Sequence, residues 1–286
     1  MKKRQRKPPV GQEWRHVENK KLVYTTYFIL RLAVIAMLVA QVFNRNYENV
    51  ALCVLTLILF MLPSVFERRL HIDLPDTLEI IILLFIFAAE ILGEIQSYYI
   101  KFPYWDTILH TLNGFLCAAI GFAMVDILNR RGHVSLHLSP FYMAVVAFCF
   151  SMTIGVLWEF FEFSMDRLFL MDMQKDTILN AISTVNLDPS HGTQAIIIRD
   201  IQDTILVLGD GTQVPLGLGG YLDVGIVDTM KDLFVNFIGA VVFSVIGFFY
   251  VKGRGKSRFA PRFIPQMMRT PAGETPAEKT EEKTGE

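Results

Sequence analysis

Apolar residues fall into six blocks divided by short polar segments: 22–43, 49–66, 74–95, 104–128, 140–163 and 228–251. Each has about the ~20 residues that an α-helix needs to cross a bilayer core at a rise of 1.5 Å per residue. The pattern predicts an all-α bundle of six transmembrane helices. Residues 1–21 form a basic arm, 22–166 hold helices one to five, and 167–227 are a long polar loop. Residues 228–251 are the sixth helix, and 252–286, rich in Pro, Lys, Thr and Glu, are expected to be a disordered tail. The first block is too long for a signal-peptide core and no small-residue cleavage site follows it, so it is expected to remain as an anchor.

Charge in the connections orients the bundle. Lys20-Lys21, Arg68-Arg69, Arg130-Arg131 and Lys252, Arg254, Lys256 and Arg258 all fall on one side. The other side has 44–48, 93–103 and 167–227, where Arg45, Lys101, Arg167, Lys175 and Arg199 are scattered among more numerous acids. Basic loops stay in the cytoplasm, so both termini are expected there. The 167–227 loop is then extracytoplasmic. Within it, 195–199 and 204–208 read as strands, and Gly209-Asp210-Gly211 is a turn signal ahead of 212–215, which predicts a β-hairpin.

Composition agrees with this class. The chain is 52% hydrophobic and 19% charged, too apolar for an ordinary soluble domain of 286 residues. A net charge of -1 conceals a basic N-terminus and a C-terminus ending in acids, and no nucleic-acid partner is expected. Cys53, Cys117 and Cys149 lie within apolar runs and read as buried small hydrophobes, since three cysteines in lipid make no disulfide framework.

Ionisable residues inside the apolar blocks change the picture from anchor to site. The fifth block carries Glu159, Glu162 and Asp166, spaced three and four apart and so on one helical face. The fourth carries Asp106 and His110, the sixth Asp228, Asp232 and Asn236, and the third Glu90 and Glu94. Counted from the extracytoplasmic helix ends, Asp106, Asp166 and Asp228 lie near the surface. His110, Glu162, Asp232 and Glu90 lie roughly 6 Å deeper, with Glu159 slightly below, and Asn113 and Asn236 at about 10–12 Å. Charges at such depth are costly and point to function.

Plainer roles compete for some of these residues. Asp106 and Asp228 each open a helix and suit an N-terminal cap. Glu162, Asp166 and Glu94 suit wet interfacial positions. Neither role accounts for Glu159, Asp232, Glu90 or His110. Trp105, Trp158, Tyr98, Tyr99 and Tyr104 suit an interfacial aromatic belt or, alternatively, the wall of a lipid site. Arg31, midway along the first block, calls for an internal acid or a bound phosphate. Gly114, Gly121, Gly155 and Gly239 suit close helix packing. His71, His133, His137 and His191 are in loops and are given no role. Asp172 and Asp176 in the outer loop read as solvated acids.

Bare carboxylates at one level repel one another unless some are protonated or a cation is added. The expected metal ligands are Asp106, His110, Glu159, Glu162, Asp228 and Asp232. Oxygen-dominated ligands with one imidazole suit Mg²⁺, Mn²⁺, Ca²⁺ or Fe better than Zn²⁺. The paired Glu-x-x-His pattern of di-iron bundles is missing.

At Trp105-Asp106-x-x-x-His110-x-x-x-Gly114, Trp158-Glu159-x-x-Glu162 and Asp228-x-x-x-Asp232 ahead of Gly239-Ala240, the chain resembles the YjdF-type family of uncharacterised bacterial multi-pass inner-membrane proteins. The resemblance runs from the third block to the end of the sixth. It implies a multi-pass protein of the bacterial cytoplasmic membrane with polar residues at these positions, and implies no reaction.

The leading expectation is a metal-dependent membrane hydrolase or transferase acting on a lipid head group or lipid-linked phosphate. His110, Asp106 and Glu159 are its candidate catalytic residues. The alternatives are a proton- or cation-coupled transporter and a structural membrane protein with a structural cation site.

Overall fold

The computed structural model describes residues 20–70, 72–131, 138–253 and 260–267. Nearly all of the basic arm, most of the tail, and His71, His133 and His137 lie outside the described residues. The helices are α1 (Lys20–Phe43), α2 (Tyr47–Leu59), α3 (Leu62–Leu70), α4 (Asp76–Phe87), α5 (Tyr98–Lys101), α6 (Trp105–Arg131), α7 (Pro140–Phe169) and α8 (Ile226–Lys252). Among the described residues, five stretches are long and apolar enough to cross a membrane: Lys20–Phe43, Tyr47–Arg69, Trp105–Asn129, Pro140–Phe169 and Ile226–Lys252.

The third expected span differs. After α4 the backbone continues as a π-helix, Ala88–Ile95, so 76–95 is two helical types end to end and neither part alone reaches spanning length. Extended π-helix is rare in proteins and tends to mark functional segments.

The chain is mostly helical, and short strands accompany the helices, including the expected ones at 196–198, 205–207 and 213–215 and others beyond them. The strands are β1 (Ile72–Asp73), β2 (Thr177–Leu179), β3 (Ile182–Thr184), β4 (Ile196–Ile198), β5 (Ile205–Val207), β6 (Gln213–Pro215), β7 (Tyr221–Asp223) and β8 (Gln266–Met267). They pair antiparallel as β1–β8, β2–β7, β3–β4 and β5–β6.

The chain divides into two compact units. The first comprises residues 1–91, 127–135 and 257–286. Its helix α2 is capped by Asn46, whose side chain accepts from Asn49 N at 3.2 Å. Glu67 Oε1 accepts from Leu74 N at 3.1 Å and fixes the turn out of α3. The tail is not wholly disordered: Ile72 pairs with Met267 and Asp73 with Gln266, while Ile264 is buried. An apolar side chain with a place to dock outweighs the polar composition around it. Inside this unit Glu79 and Ser64 flank the Tyr27 hydroxyl, and the Arg31 guanidinium carbon sits 4.9 Å above the Tyr27 ring.

The second unit comprises residues 92–126 and 136–256. Helix α7 starts at Pro140, whose fixed φ and missing N–H suit a first helical position. The Ser139 hydroxyl accepts from Tyr142 N at 3.1 Å. The helix runs on to Phe169, which carries Asp166 on the same helix as Glu159 and Glu162. Helices α6, α7 and α8 meet at glycines. A Cβ on Gly114 would lie 2.1 Å from the Asn236 carbonyl oxygen, and one on Gly155 would lie 2.6 Å from Asn236 Nδ2. Close approach lets polar groups bond between helices. Asn113 Nδ2 donates to Asn236 Oδ1 at 3.2 Å, and the Ser151 hydroxyl donates to the Gly114 carbonyl at 2.7 Å.

Polarity is distributed inside out. On α8, Asp228, Asp232, Asn236 and Ser244 are buried, while Phe234, Phe237, Ile238, Val241, Val242 and Val245 are exposed. A continuous exposed apolar face with polar groups within is the pattern of a helix in lipid. Cys53 is buried as expected, whereas Cys149 is exposed.

Between α7 and α8, β5 and β6 pair across the turn at 209–211, with Leu206 opposite Val214. The β2–β7 pair brings the two ends of the loop together, Thr177 facing Asp223. Asp223 Oδ2 then accepts from Val227 N at 2.9 Å in the first turn of α8.

Candidate metal centre

Three helices of the second unit deliver the polar groups. Asp106 and His110, four residues apart on α6, meet with Oδ1 3.4 Å from Nε2. On α7, Glu159 places Oε1 3.9 Å from His110 Nδ1. On α8, Asp232 completes a group in which one ligand atom each of Asp106, His110 and Asp232 lie within 4.8 Å of one another. His110, Glu159 and Asp232 are buried, and Asp232 is only 1% exposed. Asp106 and Asp232 each bring an oxygen within 4.8 Å of the other. Carboxylates this close repel one another unless a proton or a cation lies between them.

Two oxygens in this group lack a hydrogen-bond partner, Asp232 Oδ1 and Glu159 Oε2. Buried carboxylate oxygens without donors are costly, and an added cation would satisfy them. The other oxygens have identifiable work. Glu159 Oε1 faces His110 Nδ1.

The remaining expected ligands stand around this core. Glu162 Oε1 accepts from Trp158 Nε1 at 2.8 Å, and its charge acts on both His110 and Glu159. Trp158 therefore has a polar partner, a role the aromatic-belt reading misses. Asp228 Oδ2 accepts from Lys175 N at 2.9 Å, which ties the loop to the start of α8. Asp166 binds the same loop, accepting from Met173 N at 2.7 Å and Gln174 N at 2.9 Å. Asp172 is exposed and pairs with Lys175 at 3.7 Å. Glu94 is exposed on the π-helix, while Glu90 and Arg31 belong to the first unit.

Sequence reasoning missed Lys231. Its Nζ lies 3.3 Å from Asp228 Oδ1, 3.8 Å from Asp232 Oδ1 and 3.9 Å from Asp106 Oδ2. The signal was present as Asp228-x-x-Lys231-Asp232, an i,i+3 acid–base pair at a helix start. Next to Asp106 in sequence, Trp105 packs edge-on against Tyr98 with ring centroids 4.9 Å apart. A recess of about 250 Å³ opens there, lined by Tyr98, Phe102, Pro103, Tyr104, Trp105 and Ile108.

Apolar helix exteriors around a buried acid–imidazole group, with a lysine at its edge, define a multi-pass membrane protein with a polar interior site. Residues 26–253 match the family described as "Predicted membrane protein (DUF2238)", and the chain belongs to that family. It is also similar to an uncharacterised protein of Thermotoga maritima, with 26% identity over 106 residues, or 37% of this chain and 53% of that one. The match thus spans about half the length of that relative. No solved structure matches the chain.

Proposed function

We propose that the protein is a metal-dependent membrane enzyme acting on a lipid or lipid-linked phosphate. In this reading it crosses the bacterial cytoplasmic membrane six times, with 76–95 as the third crossing and both termini in the cytoplasm. Arg68 and Arg69 in the last turn of α3 support that orientation. The 167–227 loop then faces the extracytoplasmic side.

The observation that carries the reading is the convergence of Asp106, His110 and Asp232, with unsatisfied buried oxygens on Asp232 and Glu159. A divalent ion held by the first three, with Glu159 and Glu162 beside it, would neutralise the carboxylates. The oxygen-rich set favours Mg²⁺, Mn²⁺, Ca²⁺ or Fe²⁺ over Zn²⁺. Asp228 already has donors on both oxygens, so its part is to orient Lys231. Bound there, the ion would polarise a phosphoryl oxygen or activate water, and Glu159 would take the proton. The apolar recess at Trp105 suits an acyl or polyprenyl chain.

The test is phosphate release from phosphatidate and polyprenyl diphosphate in mixed micelles with Mg²⁺ or Mn²⁺. Metal-dependent turnover by the wild type, reduced about a hundredfold or more in a folded Asp232→Asn variant, supports the enzyme. Equal turnover in the variant contradicts the assignment. A second reading, a proton- or cation-coupled carrier, draws on the closeness of the Asp106 and Asp232 oxygens and on Lys231 beside them. Cation uptake by proteoliposomes without turnover of either lipid would favour it.

A further inference from the structure

Asp106 divides its two oxygens between two positive positions. Oδ1 faces His110 Nε2 at 3.4 Å, on the side of the candidate ion, and Oδ2 faces Lys231 Nζ at 3.9 Å. Asp232 joins both groups, as a member of the ligand triad and at 3.8 Å from the same ammonium. In two-metal centres, shared carboxylates span two ions about 3.5–4 Å apart in this manner. Here one of the two positions is filled by a side chain of the chain itself.

We propose that the Lys231 ammonium takes the place of a second metal ion, so that the centre binds a single divalent cation. The inference rests on the metal-dependent reading above and deepens it. Two further observations support it. The Asp228 carboxylate is aimed at Lys231 by the Lys175 N–H on its other oxygen, so the oxygens a second ion would use are already assigned. Asp232 Oδ1, on a residue only 1% exposed, faces the ammonium at 3.8 Å without a hydrogen bond, and Glu159 Oε2 beside the candidate ion has no partner. An ammonium beside an ion also repels a second dication, and the repulsion is stronger here than in water. One ion and one ammonium side by side then oppose two oxygens of a single phosphoryl group. A tethered lysine supplies that second charge at any metal concentration.

Lys231 has a side chain 43% exposed, so substituting it leaves no buried void. The experiment is Mn²⁺ titration of the full-length protein in detergent by calorimetry, with bound metal counted after desalting. Wild type and Lys231→Arg are expected to bind one Mn²⁺ per chain, and Lys231→Gln two. Two ions in the wild type overturn the inference. One ion in all three proteins at equal affinity overturns the Lys231 assignment and leaves the metal centre standing. No Mn²⁺ in any of them overturns the metal centre and the Lys231 assignment together.

Discussion

Gly239 on α8 faces the backbone of Thr111 on α6 so closely that a Cβ added to it would lie 2.0 Å from the Thr111 carbonyl oxygen. The obstacle is backbone, which no rotamer change can move aside. Gly239→Ala must therefore separate α6 from α8, at about 1–3 kcal/mol or more. Because Asp106 and His110 sit on one of these helices and Asp232 on the other, metal affinity is expected to fall with thermal stability. A scan in detergent with and without Mn²⁺ checks both. An unchanged melting temperature would show that the helices do not meet at this glycine.

Asp166 holds the loop after α7 through two backbone N–H groups, those of Met173 and Gln174. Asp166→Ala is expected to cost roughly 1.5 kcal/mol, at the low end for bonds to a charged group because the residue is half-buried. The effect should be local. Limited proteolysis should cut near 170–176 several times faster, while the helices resist as before. Uniform protection would contradict the tether.

Asp188 organises the loop tip. The Ser190 hydroxyl, followed by the backbone N–H groups of Ser190, Gln194 and Gly192, holds its carboxyl below the usual carboxylate range. A carboxyl with a lowered folded value adds stability that is fully present above its unfolded value, about 3.9. That stability disappears as pH falls through the folded value. Amide protection at 188–194 should therefore hold at pH 5 and weaken below about pH 4. Asp188→Asn should start weaker and lose this pH dependence. Protection that is flat down to pH 2 in the wild type would contradict the account.

Much of this is legible in the sequence because lipid penalises charge severely. Glu159, Asp232 and His110 stand out in apolar runs, and helical spacing by itself puts Asp106 on the same face as His110. The hairpin at 205–215 is also visible, since Gly209-Asp210-Gly211 marks its turn. Other features rest on information a linear pattern does not carry. The π-helix at 88–95 differs from α-helix by a backbone hydrogen-bond shift that leaves hydrophobicity unchanged. Strands β2, β3 and β7 are as short as β5 and β6, but no tight turn like Gly209-Asp210-Gly211 joins them to their partners and marks the pairing. The β1–β8 pair joins positions nearly two hundred residues apart in sequence. Lys231 escapes notice because a lysine near a helix start reads as an interfacial charge, and only its three carboxylate neighbours give it a place in the centre.

The central claim is that Asp106, His110 and Asp232 hold a divalent cation, and metal content tests it most directly. The detergent-purified wild type should be measured beside a Glu159→Gln/Asp232→Asn double variant, each reloaded with Mn²⁺, Mg²⁺, Ca²⁺, Fe²⁺ or Zn²⁺ and desalted. The account predicts stoichiometric metal in the wild type and none in the double variant. No metal in either protein would contradict it, leaving a proton-sharing acid cluster and favouring the carrier reading.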